Sequence, residues 1–113
     1  MTPNEIMQKT VKLLDAKKAE DIAVLDIREL TSIGDYFIIA SASNTTLVKT
    51  LAEEVEDKLS EQGVQPRRIE GANSAMWILI DYYDVVVHIF YAETRGFYCL
   101  ERLWGDAPRL LRQ

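Results

Sequence analysis

The sequence predicts an α/β domain in which helices pack against a mixed β-sheet of about five strands. Two observations lead to this fold class. The chain has 113 residues, of which 48% are apolar and 27% are charged, and this suits one domain with a single hydrophobic core over residues 1–113. The apolar residues also alternate between helical and strand-like spacing along the chain, in the order α-β-β-α-β-β-β-α.

A first helix is predicted over about residues 3–19. Thr2 and Glu5 have the spacing of a capping box, and Pro3 occupies the first helical position, where proline is tolerated. Behind this start, apolar residues recur at helical spacing: Ile6, Met7, Val11, Leu13 and Leu14.

Two apolar, β-branched runs follow and predict strands over Asp21–Ile27 and Tyr36–Ala40. The second run is continuously apolar, which is typical of a strand buried on both faces. Capping residues at 41–46 then begin a second helix, in which apolar residues recur every four positions: Leu47, Leu51, Val55 and Leu59. This helix of about 18 residues is expected to end near Gly63, because glycine readily adopts the left-handed conformation of a helix C-terminus.

The rest of the chain predicts three strands and one helix. Arg67–Glu70 follows a proline and therefore suits an edge strand, since proline cannot donate a hydrogen bond to a neighbouring strand. Met76–Asp81 and Val85–Phe90 are separated by a short turn and predict a β-hairpin. A loop or short turn at Ala92–Gly96 and a helix over about Phe97–Trp104 complete the predicted elements.

The composition argues against several kinds of site. A net charge of −5 and a pI near 4.8 do not suit nucleic-acid binding, which depends on Lys and Arg, and they favour a basic protein partner. One histidine and one cysteine cannot form a structural zinc site, and the five glycines are too scattered for a phosphate-binding loop. We therefore expect neither a metal nor a cofactor, although carboxylates at Asp26, Asp35, Asp81 and Asp84 keep magnesium open as an alternative.

Nucleophilic catalysis also finds little support. Cys99 would need a neighbouring base, and His88 is the one candidate imidazole. His88 shares a strand face with Val86 and Phe90, and this favours a half-buried structural histidine over a catalytic base.

No apolar run approaches the roughly 20 residues that span a bilayer, and the N-terminal segment lacks the apolar centre of a secretory signal. A single cysteine fits a reducing compartment. We therefore expect a cytoplasmic protein that does not bind membranes.

Aromatic residues and one arginine crowd the C-terminal part of the chain, and Trp, Tyr and Arg are the types enriched at binding hot spots. They lie between positions 77 and 104: Trp77, Tyr82, Tyr83, Tyr91, Arg95, Phe97, Tyr98 and Trp104. They either fill the core of a small domain or form an exposed face for a partner.

Four ordered motifs resemble the ribosomal silencing factor family, RsfS, also called Iojap. They are DYFII at 35–39 with the Ser and Asn cluster behind it, WILIDY at 77–82, DVVVHIF at 84–90 and RGFYCLERLWGDA at 95–107. The resemblance covers essentially the whole chain in order, and such a long match is more specific than a single short motif.

The resemblance implies a non-enzymatic protein that docks on the large ribosomal subunit through ribosomal protein fourteen of the universal series. It would sterically block joining of the small subunit and so silence translation, chiefly when nutrients are short. It further implies a fold similar to nucleotidyltransferases without their catalytic carboxylates, and homodimers in isolation.

Within the matched motifs, seven residues are the candidate partner-binding site: Trp77, Asp81, Tyr82, Arg95, Tyr98, Glu101 and Trp104. The four aromatic residues are expected to be contact anchors, the two carboxylates to accept hydrogen bonds from basic partner groups, and the arginine to act as a polar fork. The alternatives are that the two tryptophans belong to the core, that the aspartate caps the hairpin, and that the arginine ties the last helix to a strand end.

The chain departs from the family pattern at the hairpin turn. The family reads Asp-Tyr-Gly-Asp, and here Tyr83 occupies the glycine position. Because glycine adopts a positive φ at little cost, the substitution predicts either a different turn or a strained Tyr83.

Two other functions compete with ribosome binding. One is a degenerate nucleotidyltransferase-like enzyme that uses Asp26, Asp35 or Asp81 with magnesium, and the other is a homo-oligomeric adaptor for another protein. Such an enzyme would be stabilised thermally by nucleotide and metal, whereas a binding protein would respond only to its protein partner.

Overall fold

A computed structural model describes residues 1–30, 32, 34–94 and 109–112, the last four by their backbone alone. Two helices and six strands are present in these ranges: α1 Pro3–Ala16, β1 Glu20–Asp26, β2 Tyr36–Ala42, α2 Thr45–Glu61, β3 Arg68–Glu70, β4 Trp77–Asp81, β5 Val85–Tyr91 and β6 Arg109–Arg112. None of the helices in the described part of the chain is both long and apolar enough to cross a membrane.

The strands form one sheet in the order β3-β4-β5-β2-β1-β6. β2 and β5 are parallel, whereas the other four neighbouring pairs are antiparallel. The predicted mixed sheet, the β4–β5 hairpin and the edge position of β3 are therefore confirmed. The sheet has one strand more than the roughly five predicted, because β6 pairs with the outer edge of β1.

The described residues include only part of the C-terminal region of the predicted fold. Residues 92–94, within the predicted loop or short turn, form a short helical turn directly after β5. The predicted helix Phe97–Trp104 lies outside the described residues.

Both helices begin as the sequence predicts. The Thr2 hydroxyl accepts a hydrogen bond from the Glu5 amide at 3.2 Å, and the Glu5 carboxylate accepts one from the Thr2 amide at 2.9 Å, which completes the capping box. At the start of α2, the Asn44 side chain accepts from the Leu47 amide at 2.8 Å.

The helix ends depend on left-handed residues. Lys18 has φ +69° and the Ala19 amide donates back to the Leu14 carbonyl, so α1 ends at Ala16 and the prediction of a helix to residue 19 was too long. Gly63 has φ +80° directly after α2, as predicted for a C-terminal glycine.

The core divides between the two faces of the sheet. On the helix face, α1 and α2 cover alternate strand residues such as Ile38, Ile80 and Val87, all fully buried. On the opposite face, Phe37, His88 and Phe90 are buried beside the partly exposed Trp77. We call these four residues the aromatic face. All seven residues of β2 are buried, which confirms the prediction from its continuous apolar run.

The β4–β5 turn is a γ-turn centred on Tyr83. Tyr83 has φ +71°, and the Asp84 amide donates to the Tyr82 carbonyl two residues earlier, at 3.0 Å. A positive φ at the centre of such a turn is rare and strained for any residue with a Cβ. The chain therefore keeps a tight turn at this position and places a tyrosine in the conformation that glycine favours.

This strain predicts an unusual order of stability for two variants that both remove the Tyr83 ring. We expect Tyr83→Gly to have a free energy of unfolding about 1 kcal/mol higher than Tyr83→Ala, because only the glycine adopts φ +71° without a Cβ clash. Urea denaturation of the two variants measures the difference. An alanine variant as stable as the glycine variant contradicts the strain.

Candidate functional site

Trp77 begins β4 and lies on the aromatic face, where the hairpin register sets it opposite Phe90. Its indole stacks on the Phe90 ring at a centroid distance of 5.0 Å and an interplanar angle of 22°. The indole Nε1–H donates a hydrogen bond to His88 Nδ1 at 3.1 Å. Trp77 is partly exposed, so a large aromatic side chain of fixed orientation reaches the surface.

His88 holds Trp77 from inside the sheet face. Its side chain is buried, and its ring packs edge-on against Phe37 at a centroid distance of 5.1 Å. Burial lowers the pKa of His88 from 6.5 to about 4, so the imidazole is neutral at physiological pH. Because Nδ1 accepts the indole hydrogen bond, the proton lies on Nε2, which has no hydrogen-bond partner among the described residues.

The structure confirms that His88 faces the same side as Val86 and Phe90, but the residue is more deeply buried than the half-buried histidine that we expected. The Trp77–His88 hydrogen bond was not predicted. It could have been predicted from the hairpin register. The register pairs Leu79 with His88 and so places Trp77 diagonally beside the imidazole on the same face.

Asp81 ends β4 and is 2% exposed. Its Oδ2 accepts hydrogen bonds from Arg67 at 2.6 and 3.2 Å and lies 3.5 Å from Arg68 Nε, while its Oδ1 accepts from the Tyr83 amide at 2.8 Å. These contacts favour the alternative that Asp81 caps the hairpin. They do not support the prediction that it accepts hydrogen bonds from a partner, because both oxygens already have donors within the chain.

Tyr82 lies on the other side of the sheet from Trp77. It is 3% exposed and belongs to the core under the helices, so the prediction of a contact anchor is not supported for this residue. Burial, with a smaller effect of the nearby Glu56 carboxylate, raises the pKa of its hydroxyl.

Trp77 is thus the one predicted site residue that the described structure places at the surface. The other four candidates lie outside the described residues: Arg95, Tyr98, Glu101 and Trp104. The described part of the chain holds no group of three or more His, Cys, Asp or Glu residues close enough to bind a metal ion.

Two arginines that no sequence motif indicated lie beside the aromatic face. Arg67 and Arg68 border a cavity of about 300 Å³ whose walls include Phe37, Val86 and His88. The arginine pair was missed because its position depends on the pairing of β3 with β4, which brings Arg68 opposite Asp81. The aromatic face and these guanidinium groups can form apolar contacts and hydrogen bonds with a protein surface.

The lowered pKa of His88 predicts an acid-sensitive fold. In the unfolded chain His88 takes up a proton near pH 6.5, whereas in the folded protein it does so only near pH 4, so its contribution to stability is complete above pH 6.5 and is lost as the pH falls through this window. We expect the free energy of unfolding to fall by about 2 kcal/mol between pH 7 and pH 5.

Urea denaturation across this range tests the effect, with His88→Asn as the control. His88 is the only histidine, and asparagine offers an acceptor near the Nδ1 position without titrating. The same pH dependence in both proteins shows that another group is responsible.

The burial of Asp81 predicts that its ion-pair partner, Arg67, contributes more to thermal stability than an arginine paired with a more exposed aspartate. Arg67 and Arg28 each contact an aspartate at 2.6 Å and are about half exposed, but the Asp81 side chain is 3% exposed and the Asp26 side chain is 13% exposed. We expect Arg67→Gln to lower the melting temperature clearly more than Arg28→Gln, because it leaves a buried carboxylate with weaker partners. Equal effects in thermal denaturation contradict this role for Asp81.

Comparison with known proteins agrees with this architecture. A family described as "Ribosomal silencing factor during starvation" matches residues 1–113. The "Ribosomal silencing factor RsfS" of Bacillus subtilis is 40% identical over 96% of this chain and 92% of its own length. A crystal structure of a Chromobacterium violaceum protein, 39% identical, matches with a TM-score of 0.90 over 93% of this chain and 88% of that one.

A more distant relative extends the comparison to organelles. The mouse protein named "Mitochondrial assembly of ribosomal large subunit protein 1" is 30% identical over 83% of this chain and 42% of its own length. The full-length family match and the bacterial relatives confirm the resemblance noted in the sequence. The chain therefore belongs to the family of ribosomal silencing factors.

Proposed function

We propose that this protein silences translation by binding the large ribosomal subunit through ribosomal protein fourteen of the universal series and sterically blocking the small subunit, chiefly when nutrients are short. It does so in the cytoplasm and without catalysing a reaction. The observation that carries the proposal is the family match over all 113 residues. The name of the mouse relative, which refers to assembly of the large subunit, supports the choice of subunit.

Trp77 is the proposed anchor of the partner contact. Its indole is already fixed by stacking on Phe90 and by the hydrogen bond to His88, so it loses little conformational freedom on binding. Tryptophans of this kind supply much of the affinity at protein interfaces. Four residues further along the chain are proposed to complete the contact: Arg95, Tyr98, Glu101 and Trp104.

The charge of the chain supports a basic partner. A net charge of −5 attracts a basic ribosomal protein over a distance of about one Debye length and speeds its association. The same charge disfavours direct binding to ribosomal RNA, whose phosphates it repels. Because the contact depends on this attraction, we expect docking to weaken at high salt.

Homodimers in isolation are also part of the proposal. A dimer that covers the Trp77 side chain would have to dissociate before docking, so the apparent docking rate per protomer would fall as the protein concentration rises. Docking kinetics that do not change with concentration would count against this competition.

Sedimentation of ribosomal subunits tests the proposed function. We expect the purified protein to migrate with the large subunit in a sucrose gradient and to reduce the peak of joined ribosomes. Trp77→Ala should weaken binding by a factor of about 30, because a hot-spot side chain supplies roughly 2 kcal/mol. Binding to isolated ribosomal protein fourteen tests the proposed partner directly.

Leu30→Ala provides a matched control for this experiment. Leu30 is also an exposed apolar side chain, and it lies near the start of β2, at the end of the sheet away from Trp77. It should bind like the unchanged protein, and circular dichroism should show both variants folded. A protein that stays at the top of the gradient while the subunits join normally overturns the proposal.

A further inference from the structure

A groove lies on the helix face of the sheet, away from the aromatic face, between α2 and the edge strand β3. It has a volume of about 480 Å³, within the range of roughly 300–1,000 Å³ found for ligand-binding pockets. Its apolar residues are Ala52 on α2, Ile69 on β3, Ala72 just after β3 and Ile78 on β4. Ile69 is only partly buried, because α2 packs mainly over β2, β4 and β5.

The rim of the groove is acidic. Glu53 and Glu56 line it from α2, with Lys49 one helical turn before Glu53. Neither glutamate forms an ion pair with any residue in the described part of the chain. The helix as a whole carries five acidic and two basic residues, so the potential beside the groove is negative and favours cationic side chains.

The groove borders an unpaired strand edge. β3 pairs with β4 on one side, and no described strand pairs with its other side. Such an edge presents backbone N–H and C=O groups that can pair with an added strand. An extended segment lying along β3 would direct alternate side chains toward the groove and toward the opposite face.

We propose that this groove binds an extended, basic segment of a protein partner, which adds to β3 as a strand, inserts apolar side chains beside Ile69 and Ile78, and pairs lysine or arginine with Glu53 and Glu56. A second copy of this chain fits poorly, because its net charge is −5. The inference does not rest on ribosome binding. Since the groove and Trp77 lie on opposite faces, both can be occupied at once.

The test is an NMR titration of the full chain with a synthetic peptide, acetyl-TVTKTITKT-amide, whose valine, isoleucine and lysines all lie on the same face of an extended strand. We expect saturable shifts at the amides of Ile69, Ile78 and Glu53. The double variant Glu53→Gln with Glu56→Gln should raise the Kd by about tenfold, because it removes both rim charges. The acidic peptide acetyl-TVTETITET-amide, which places glutamates at the lysine positions, should not bind.

A matched double variant distinguishes specific binding in the groove from non-specific attraction of the basic peptide to the acidic helix. Glu54→Gln with Asp57→Asn removes the same two charges from α2 at positions that do not line the groove, and it should change the Kd less than about twofold. Equal weakening by both double variants, the absence of saturable shifts, or shifts confined to the aromatic face would each overturn the inference. Large-subunit sedimentation of the Glu53 and Glu56 variant should remain unchanged, which keeps this result separate from the proposed function.

Discussion

The parallel pairing of β2 with β5 at the centre of the sheet is the constraint on which the rest of the structure depends. A central strand that is buried on both faces leaves no side for water, so each face needs its own apolar cover. The two helices provide this cover on one face. On the other face, buried aromatic rings extend outward to the partly exposed Trp77. The candidate partner contact is thus the margin of an apolar layer that the fold itself requires.

Two polar side chains within that layer, His88 and Asp81, are held by specific partners. His88 stays neutral because it is buried, and as a neutral ring it accepts the indole hydrogen bond of Trp77. Asp81 stays buried because Arg67 reaches it from beside the neighbouring strand, and its second oxygen holds the turn at Tyr83. Asp81 has donors for both of its oxygens, whereas His88 has a partner at Nδ1 and none at Nε2 among the described residues, and its burial is tolerated as a neutral ring. The orientation of the Trp77 side chain at the surface therefore depends on the buried residues His88 and Phe90.

The two faces of the sheet offer different chemistry to partners. The aromatic face combines a fixed indole with nearby guanidinium groups, whereas the groove beside α2 combines apolar side chains with carboxylates and a free strand edge. The first suits a compact protein surface, and the second suits an extended basic segment. Both are presented by one sheet because the two described helices, α1 and α2, lie on the same side of it.

The sequence by itself determined the types and most of the ends of the first seven elements, because helical and strand periodicity, capping residues and glycine are local signals. Its ordered motifs also determined the family. Only the tertiary structure decided which predicted site residues reach the surface. Trp77 and Tyr82 belong to the same motif, but they lie on opposite sides of the sheet, and Asp81 is enclosed by arginines that precede it by more than ten residues. The four-residue strand β6 was not predicted for a related reason. A strand so short is defined mainly by its pairing with β1, and the sequence pattern does not specify which strands are neighbours in the sheet.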